Sequence, residues 1–110
     1  MKRKNKFIYL ISPNKINPHF YSDLKSVLIT KKVKYFQLRL KNSSEKTIIT
    51  VSKRIQKLCK VFKVKFIIND NPLIAKKVGA DGCHLGQNDM DIEDAKKLLK
   101  RKIIGITCNN

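Results

Sequence analysis

The chain contains no tryptophan, four glycines, three prolines, three cysteines and only eight acids among 110 residues. So little glycine and proline excludes collagen-like, low-complexity and linker-rich classes. Cys59, Cys83 and Cys108 are odd in number and far apart, which argues against a disulfide framework. With no CxxC or Cys/His ligand spacing, a structural zinc is not expected either. Each cysteine has apolar neighbours and reads as a small core residue in a reducing cytoplasm. No apolar run is long enough to span a bilayer, and FIYLI after the basic MKRKNK is too short for a secretory signal. A soluble, cytoplasmic protein is expected.

Against eight acids stand 25 bases, for a net charge of +17. That balance first points to nucleic acid or an anionic membrane. However, 21 of the bases are lysine, alongside abundant Ile and Asn, a pattern expected from A- and T-biased codons. The lysines run along the whole chain, as at Lys31-Lys32, Lys76-Lys77 and Lys96-Lys97, rather than in one stripe. Solvated helix faces and strand ends explain them better, and neither nucleic acid nor membrane is expected as a partner. The 42% apolar content and the length allow one domain with a core.

Strand and helix patterns alternate throughout. Phe7–Ile11 is an apolar run closed by Ser12-Pro13-Asn14 and predicts a strand. After Pro18, the residues Phe20, Leu24, Val27 and Leu28 share one helical face. Lys34–Lys41 alternates as a second strand, and Asn42 with Glu45 predicts a capping box for a helix carrying Ile48, Val51, Ile55, Leu58 and Phe62. Lys65–Asn69 is a third strand. Asn71-Pro72 opens a helix that Gly79 closes. Gly82–Leu85 is a fourth strand, Asp91 caps a helix reaching Lys100, and Lys102–Thr107 is a fifth strand. Such alternation predicts an α/β fold with a parallel sheet, and no linker divides residues 1–110 into domains.

Parallel α/β folds gather their chemistry where strands end and helices begin. Gln37, Arg39 and Lys41 fall at one such end; Asn69 and Asp70 at the next; His84, Gly86, Gln87 and Asp89 at a third; Thr107 and Asn109 at the last. Gln37, Arg39 and Lys41 share one strand face, and Phe36, Leu38 and Leu40 the other. If the apolar set packs on helices, the polar set points inward, where unpaired charge is costly and an anion such as diphosphate would satisfy it. A solvent-facing edge strand accounts for the same spacing equally well.

Asp70 and Asp89 follow adjacent strands, roughly 5 Å apart, and two converging carboxylates suit Mg²⁺. Taken singly, each is an ordinary loop or helix-start acid, as Asp91 and Asp94 are. Asp81, at the opposite rim, reads as structural. His84 alternates inward with Gly82; a lone histidine there is more often a satisfied core residue, with a ligand contact as the functional alternative. His19 reads as a helix-start residue, and Tyr9 and Tyr35 as packing.

In order, QLRLK, FIIND, GADGCHLGQND and IIGIT resemble the thiamine-phosphate synthase and thiazole-tautomerase-like family, over essentially the whole chain. The resemblance implies a TIM (β/α)8 barrel, of which this chain would be a truncated piece holding the N-terminal five strands. It further implies a transferase of thiamine biosynthesis that couples a pyrimidine diphosphate with a thiazole phosphate, releasing diphosphate. By that resemblance Gln37, Arg39 and Lys41 would hold the pyrimidine diphosphate, with Arg39 and Lys41 stabilising the leaving group. Asn69 would contact the same substrate, Thr107 takes the place of a residue that touches the pyrimidine, and Asp70 and Asp89 would ligate Mg²⁺; His84 is a candidate substrate contact from its inward alternation alone. Leu40 replaces an acid often found in the family, Asn109 a histidine and Thr107 a serine, whereas the pair Asp70 and Asp89 favours the synthase over its tautomerase-like relatives.

A barrel of this kind takes about 200 residues or more, so the expected product is a fragment carrying the pyrimidine-diphosphate and magnesium half-site, without turnover of its own. Open sheet edges and the inward residues Ile67 and Ile103 are expected to be exposed and to favour self-association. The alternatives are a half-barrel that dimerises as a diphosphate-binding module, and a tautomerase-like protein without coupling activity.

Overall fold

The computed structural model of the protein describes residues 7–85 and the strand at 103–106. Its elements run β1 (Ile8–Ile11), α1 (Phe20–Leu28), β2 (Val33–Leu38), α2 (Glu45–Val61), β3 (Lys65–Asn69), α3 (Pro72–Val78), β4 (Gly82–Leu85) and β5 (Ile103–Ile106). The strands form one sheet in the order β1-β2-β3-β4-β5, and each neighbouring pair is parallel. The predicted α/β alternation is therefore the observed one. The helix predicted from Asp91 to Lys100 lies outside the described residues.

Local chemistry explains the clearest boundaries. At the start of α3 the Asn71 side chain accepts a hydrogen bond from the Ile74 amide at 3.0 Å, and Pro72 occupies the first turn, where its missing N–H costs nothing. Gly79 ends that helix at φ 67°, a left-handed conformation from which its N–H reaches the last-turn carbonyls. At α2 the capping residue is Ser44, not the predicted Asn42: Ser44 Oγ accepts from the Thr47 amide at 3.1 Å. Asn42 stands earlier, at φ 54°, where a short polar side chain is tolerated. Glu45 is the first helical residue and instead pairs with Lys77 Nζ at 2.7 Å.

One core holds the layers together. Phe36 and Leu38 of β2, Phe66 and Ile68 of β3, and Cys83 and Leu85 of β4 alternate onto one face. There they meet Leu24 and Leu28 of α1, Ile55 and Cys59 of α2, and Ile74 and Ala75 of α3. Phe20 packs against this cluster and Leu40 is partly buried, as their spacing predicts, but Val27 is 38% exposed at the margin of the helical stripe. Phe36 and Phe66 stack with ring centroids 6.4 Å apart. Asp81 fastens the sheet's lower end: its Oδ2 accepts from the Phe66 amide at 2.8 Å and its own N–H donates to the Phe66 carbonyl at 2.8 Å.

Two sequence expectations fail here. The second strand ends at Leu38 rather than Lys41, so Arg39 and Lys41 are exposed and only Gln37 is buried. Exposed charges keep their hydration, and the inward-charge dilemma does not arise. Ile67 is 3% exposed, not bare, standing in its row between Gln37 and Gly82. The open β1 edge is exposed as expected, with Phe7, Ile8 and Ile11 at 56%, 45% and 48%, and further exposed apolar side chains lie at Ile29, Val61 and Leu73.

Cys59, on the inner face of α2, is fully buried, and burial, with a smaller contribution from the negative charge of Asp81, pushes its thiol from 9.0 up to about 12. The folded state thus retains a proton that the unfolded state releases sooner. The associated stability is complete below pH 9 and is lost as pH rises through 12. We expect Cys59 to resist alkylation at pH 9 in buffer and to react readily in urea, as read by peptide mass mapping. Ready labelling in buffer would contradict this burial.

Candidate functional site

The face of the sheet opposite the helices carries a different set of side chains. Tyr9 of β1 stacks on Tyr35 of β2 with centroids 5.5 Å apart. The next row aligns Ile11, Gln37, Ile67, Gly82 and Ile103 across the five strands, and above it Asn69 aligns with His84 and Gly105. Gln37 is 3% exposed, and its Nε2 donates to Tyr9 Oη at 3.0 Å. Its carboxamide is therefore oriented by a neighbouring strand, a contact local sequence patterns do not reveal.

At the C-terminal end of the sheet, successive strands deliver polar groups to one rim. After β1 comes Ser12, 7% exposed. Arg39 and Asn69 each follow a register pair, Leu38 with Ile68, so the two chains reach the rim side by side. Asn69 and His84 are half-buried, whereas Arg39, Lys41 and Asp70 are exposed. Asp70 adopts φ 64°, a left-handed turn that aspartate tolerates, and its N–H donates to the His84 carbonyl at 2.7 Å. That bond ties the end of β3 to β4 and fixes where the Asp70 carboxylate begins.

Arg39 and Lys41 make no ion pair among the described residues, where the one such pair is Lys77 with Glu45. Two such cations on one rim segment favour an anionic ligand. Asp70, a carboxylate on the same rim, is the oxygen donor type that Mg²⁺ takes. No cluster of three or more His, Cys, Asp or Glu side chains able to hold a metal occurs among the described residues. Asp89 and Thr107 lie outside those residues, as do Gly86, Gln87 and Asn109. The structure therefore brings Gln37, Arg39, Lys41, Asn69, Asp70 and His84 to one end of the sheet. Ser12 joins them unpredicted, a hydroxyl at a C-terminal strand end being the available signal; Tyr9, in one row with Tyr35 and with Lys65 at the start of β3, lies towards the other end of the sheet and meets the set through Gln37.

A parallel α/β sheet with its polar side chains gathered at the C-terminal strand ends defines the class that binds small ligands at that rim. The particular family follows from comparison with known proteins. The sequence profile described as "Thiamine monophosphate synthase" matches residues 8–110, and the chain belongs to that family. It is 57% identical over 110 residues to the thiamine-phosphate synthase of Pelagibacter ubique, covering 99% of this chain and 53% of that protein. The thiamine-phosphate synthase of Fusobacterium nucleatum is 42% identical over 113 residues, with 100% and 54% covered. Among solved structures, thiamine phosphate pyrophosphorylase from Pyrococcus furiosus superposes with a TM-score of 0.80 at 27% identity, over 93% of this chain and 50% of that one. The chain thus spans about half the length of the curated relatives it matches.

Proposed function

We propose that this chain carries the pyrimidine-diphosphate and magnesium half-site of a thiamine-phosphate synthase, its sheet being the N-terminal part of a (β/α)8 barrel. The observation that carries the reading is the rim itself: two cations with no ion pair among the described residues, Arg39 and Lys41, stand beside the buried, oriented Gln37 in a member of this family. The coupling breaks the C–O bond between the pyrimidinylmethyl carbon and diphosphate, which departs with the electron pair. The thiazole nitrogen then forms the new C–N bond.

In that chemistry Arg39 and Lys41 bind the diphosphate and disperse the charge it gains as it leaves. Gln37, Asn69 and His84 orient the pyrimidine, together with Thr107. Asp70 and Asp89 are the residues that would hold Mg²⁺, which when bound supplies further charge neutralisation to the phosphate oxygens. None of these steps asks this half for a general base.

The proposed partners are the two phosphorylated small molecules and not nucleic acid or membrane, and the proposed setting is the cytoplasm. No described helix is long and apolar enough to cross a membrane. A second reading, a self-associating diphosphate-binding module, draws on the exposed apolar edge of β1. Calorimetric titration of the purified chain with diphosphate, with and without Mg²⁺, tests the site; saturable binding that tightens with Mg²⁺ is expected, and no binding under either condition would sink the reading. Thiamine phosphate formation assayed on the same preparation separates coupling from binding alone.

A further inference from the structure

Beyond the residues already placed on the rim, we infer that Ser12 is a positioning residue: its hydroxyl takes the place of a backbone carbonyl in the β1–β2 ladder and thereby fixes Arg39. This inference rests on the diphosphate reading above for its functional consequence, but its geometry is independent of that reading. In a parallel ladder a residue donates its N–H to one carbonyl of the neighbouring strand, and its own carbonyl accepts from the N–H two residues further on. Ser12 begins that pattern, its N–H donating to the Gln37 carbonyl at 2.9 Å. The next rung departs from it. The Arg39 N–H donates not to the Ser12 carbonyl but to Ser12 Oγ, at 2.8 Å.

The exchange of acceptors has a local cause. Pro13 follows immediately, and the chain must turn out of the sheet there while β2 still presents an N–H that needs a partner. The side-chain oxygen reaches where the turning backbone no longer does. Ser12 Oγ in turn donates to the Pro13 carbonyl at 3.0 Å, so both capacities of the hydroxyl are used. A longer contact continues the splint, the Lys41 N–H donating to the Asn14 carbonyl at 3.4 Å. The segment 12–14 therefore runs along 37–41 and holds the backbone that carries Gln37, Arg39 and Lys41.

Arg39 has left the regular strand and its side chain is exposed. Its N–H is held by this buried hydroxyl. Fixing the root of the guanidinium before ligand arrives reduces the ordering that binding would otherwise require.

The test compares Ser12→Ala, Ser12→Thr, Ser12→Val and Arg39→Ala in the intact chain, using amide hydrogen exchange and calorimetry with Mg²⁺ and inorganic diphosphate. Ser12→Ala is expected to speed exchange at the Arg39 amide and weaken diphosphate binding, each by about tenfold, with exchange at Phe66 and Ile68 unchanged. Ser12→Thr, which keeps the hydroxyl, should restore both; Ser12→Val, its isostere without the oxygen, should not. Should Ser12→Ala fail to fold, the Thr and Val pair makes the same comparison at constant shape. Unchanged exchange at Arg39 in the variants lacking the hydroxyl would overturn the inference, as would equal affinities for Thr and Val. If no variant, wild type included, binds diphosphate while Arg39 protection still follows the hydroxyl, the diphosphate reading falls and Ser12 is left holding the backbone alone.

Discussion

Arg39→Ala is expected to weaken Mg²⁺-dependent diphosphate binding by one to two orders of magnitude, while leaving the melting temperature almost unchanged. The first half follows from the loss of charge-assisted hydrogen bonds, roughly 1.5–3 kcal/mol for groups of this kind. The second follows from position: Arg39 is exposed, lies past the end of β2 and makes no ion pair among the described residues. Removing such a side chain costs the fold at most about 0.5 kcal/mol. Arg39→Lys should fall between, because a point charge cannot grip two phosphate oxygens as a planar guanidinium does.

Two controls sharpen this expectation. Added salt should erode wild-type affinity more than that of Arg39→Ala, since the site is solvent-exposed and screening acts on the charge that was removed. Gln37→Ala should lose both binding and stability, because Gln37 is 3% exposed and hydrogen-bonded to Tyr9. Calorimetry paired with thermal melts separates these cases. Wild-type affinity in Arg39→Ala would remove the main support for an anion site at this rim.

How much of this was legible in the sequence depends on how local each signal is. β3 and α3 were readable because Asn71, Pro72 and Gly79 act on backbone groups within four residues of themselves. The end of β2 was not, since polar residues at positions 37, 39 and 41 keep strict alternation through the point where the chain leaves the sheet. Alternation reports an extended backbone and says nothing about whether a neighbouring strand still runs alongside it.

Asn42 and Ser44 are both capping residue types, and the choice between them depends on where the backbone turns, with Asn42 already in a left-handed conformation. The Tyr9–Gln37 contact required the β1–β2 register, which includes an irregularity between Ile8 and Tyr9 that no local pattern encodes. The burial of Ile67 likewise is a property of the assembled sheet, in which it has partners on two other strands. The rim residues were legible as residue types at strand ends, and the bonds that orient them were not.

Phe66→Ala is the substitution expected to cost the most stability. Phe66 is completely buried near the start of β3, stacked on Phe36 and beneath the helical layer that includes Ile55 and Cys59. Truncating a buried phenylalanine costs about 3–5 kcal/mol, in transfer free energy and in the cavity left behind. A domain of this size holds on the order of 5–15 kcal/mol in all, and an open sheet with an exposed apolar β1 edge belongs at the low end of that range. The site can relax little, because the Phe66 backbone is held on both its N–H and its carbonyl by Asp81. A fall in melting temperature on the order of 15 °C or more is therefore expected from circular dichroism, with Phe66→Leu losing much less. Since Asn69 and Asp70 close the same strand, diphosphate binding should vanish in Phe66→Ala wherever the variant is unfolded and return on cooling into the folded range, whereas in Arg39→Ala the loss should persist at every temperature. A drop of less than about 5 °C in Phe66→Ala would mean that the core is not held by the β3 layer described above.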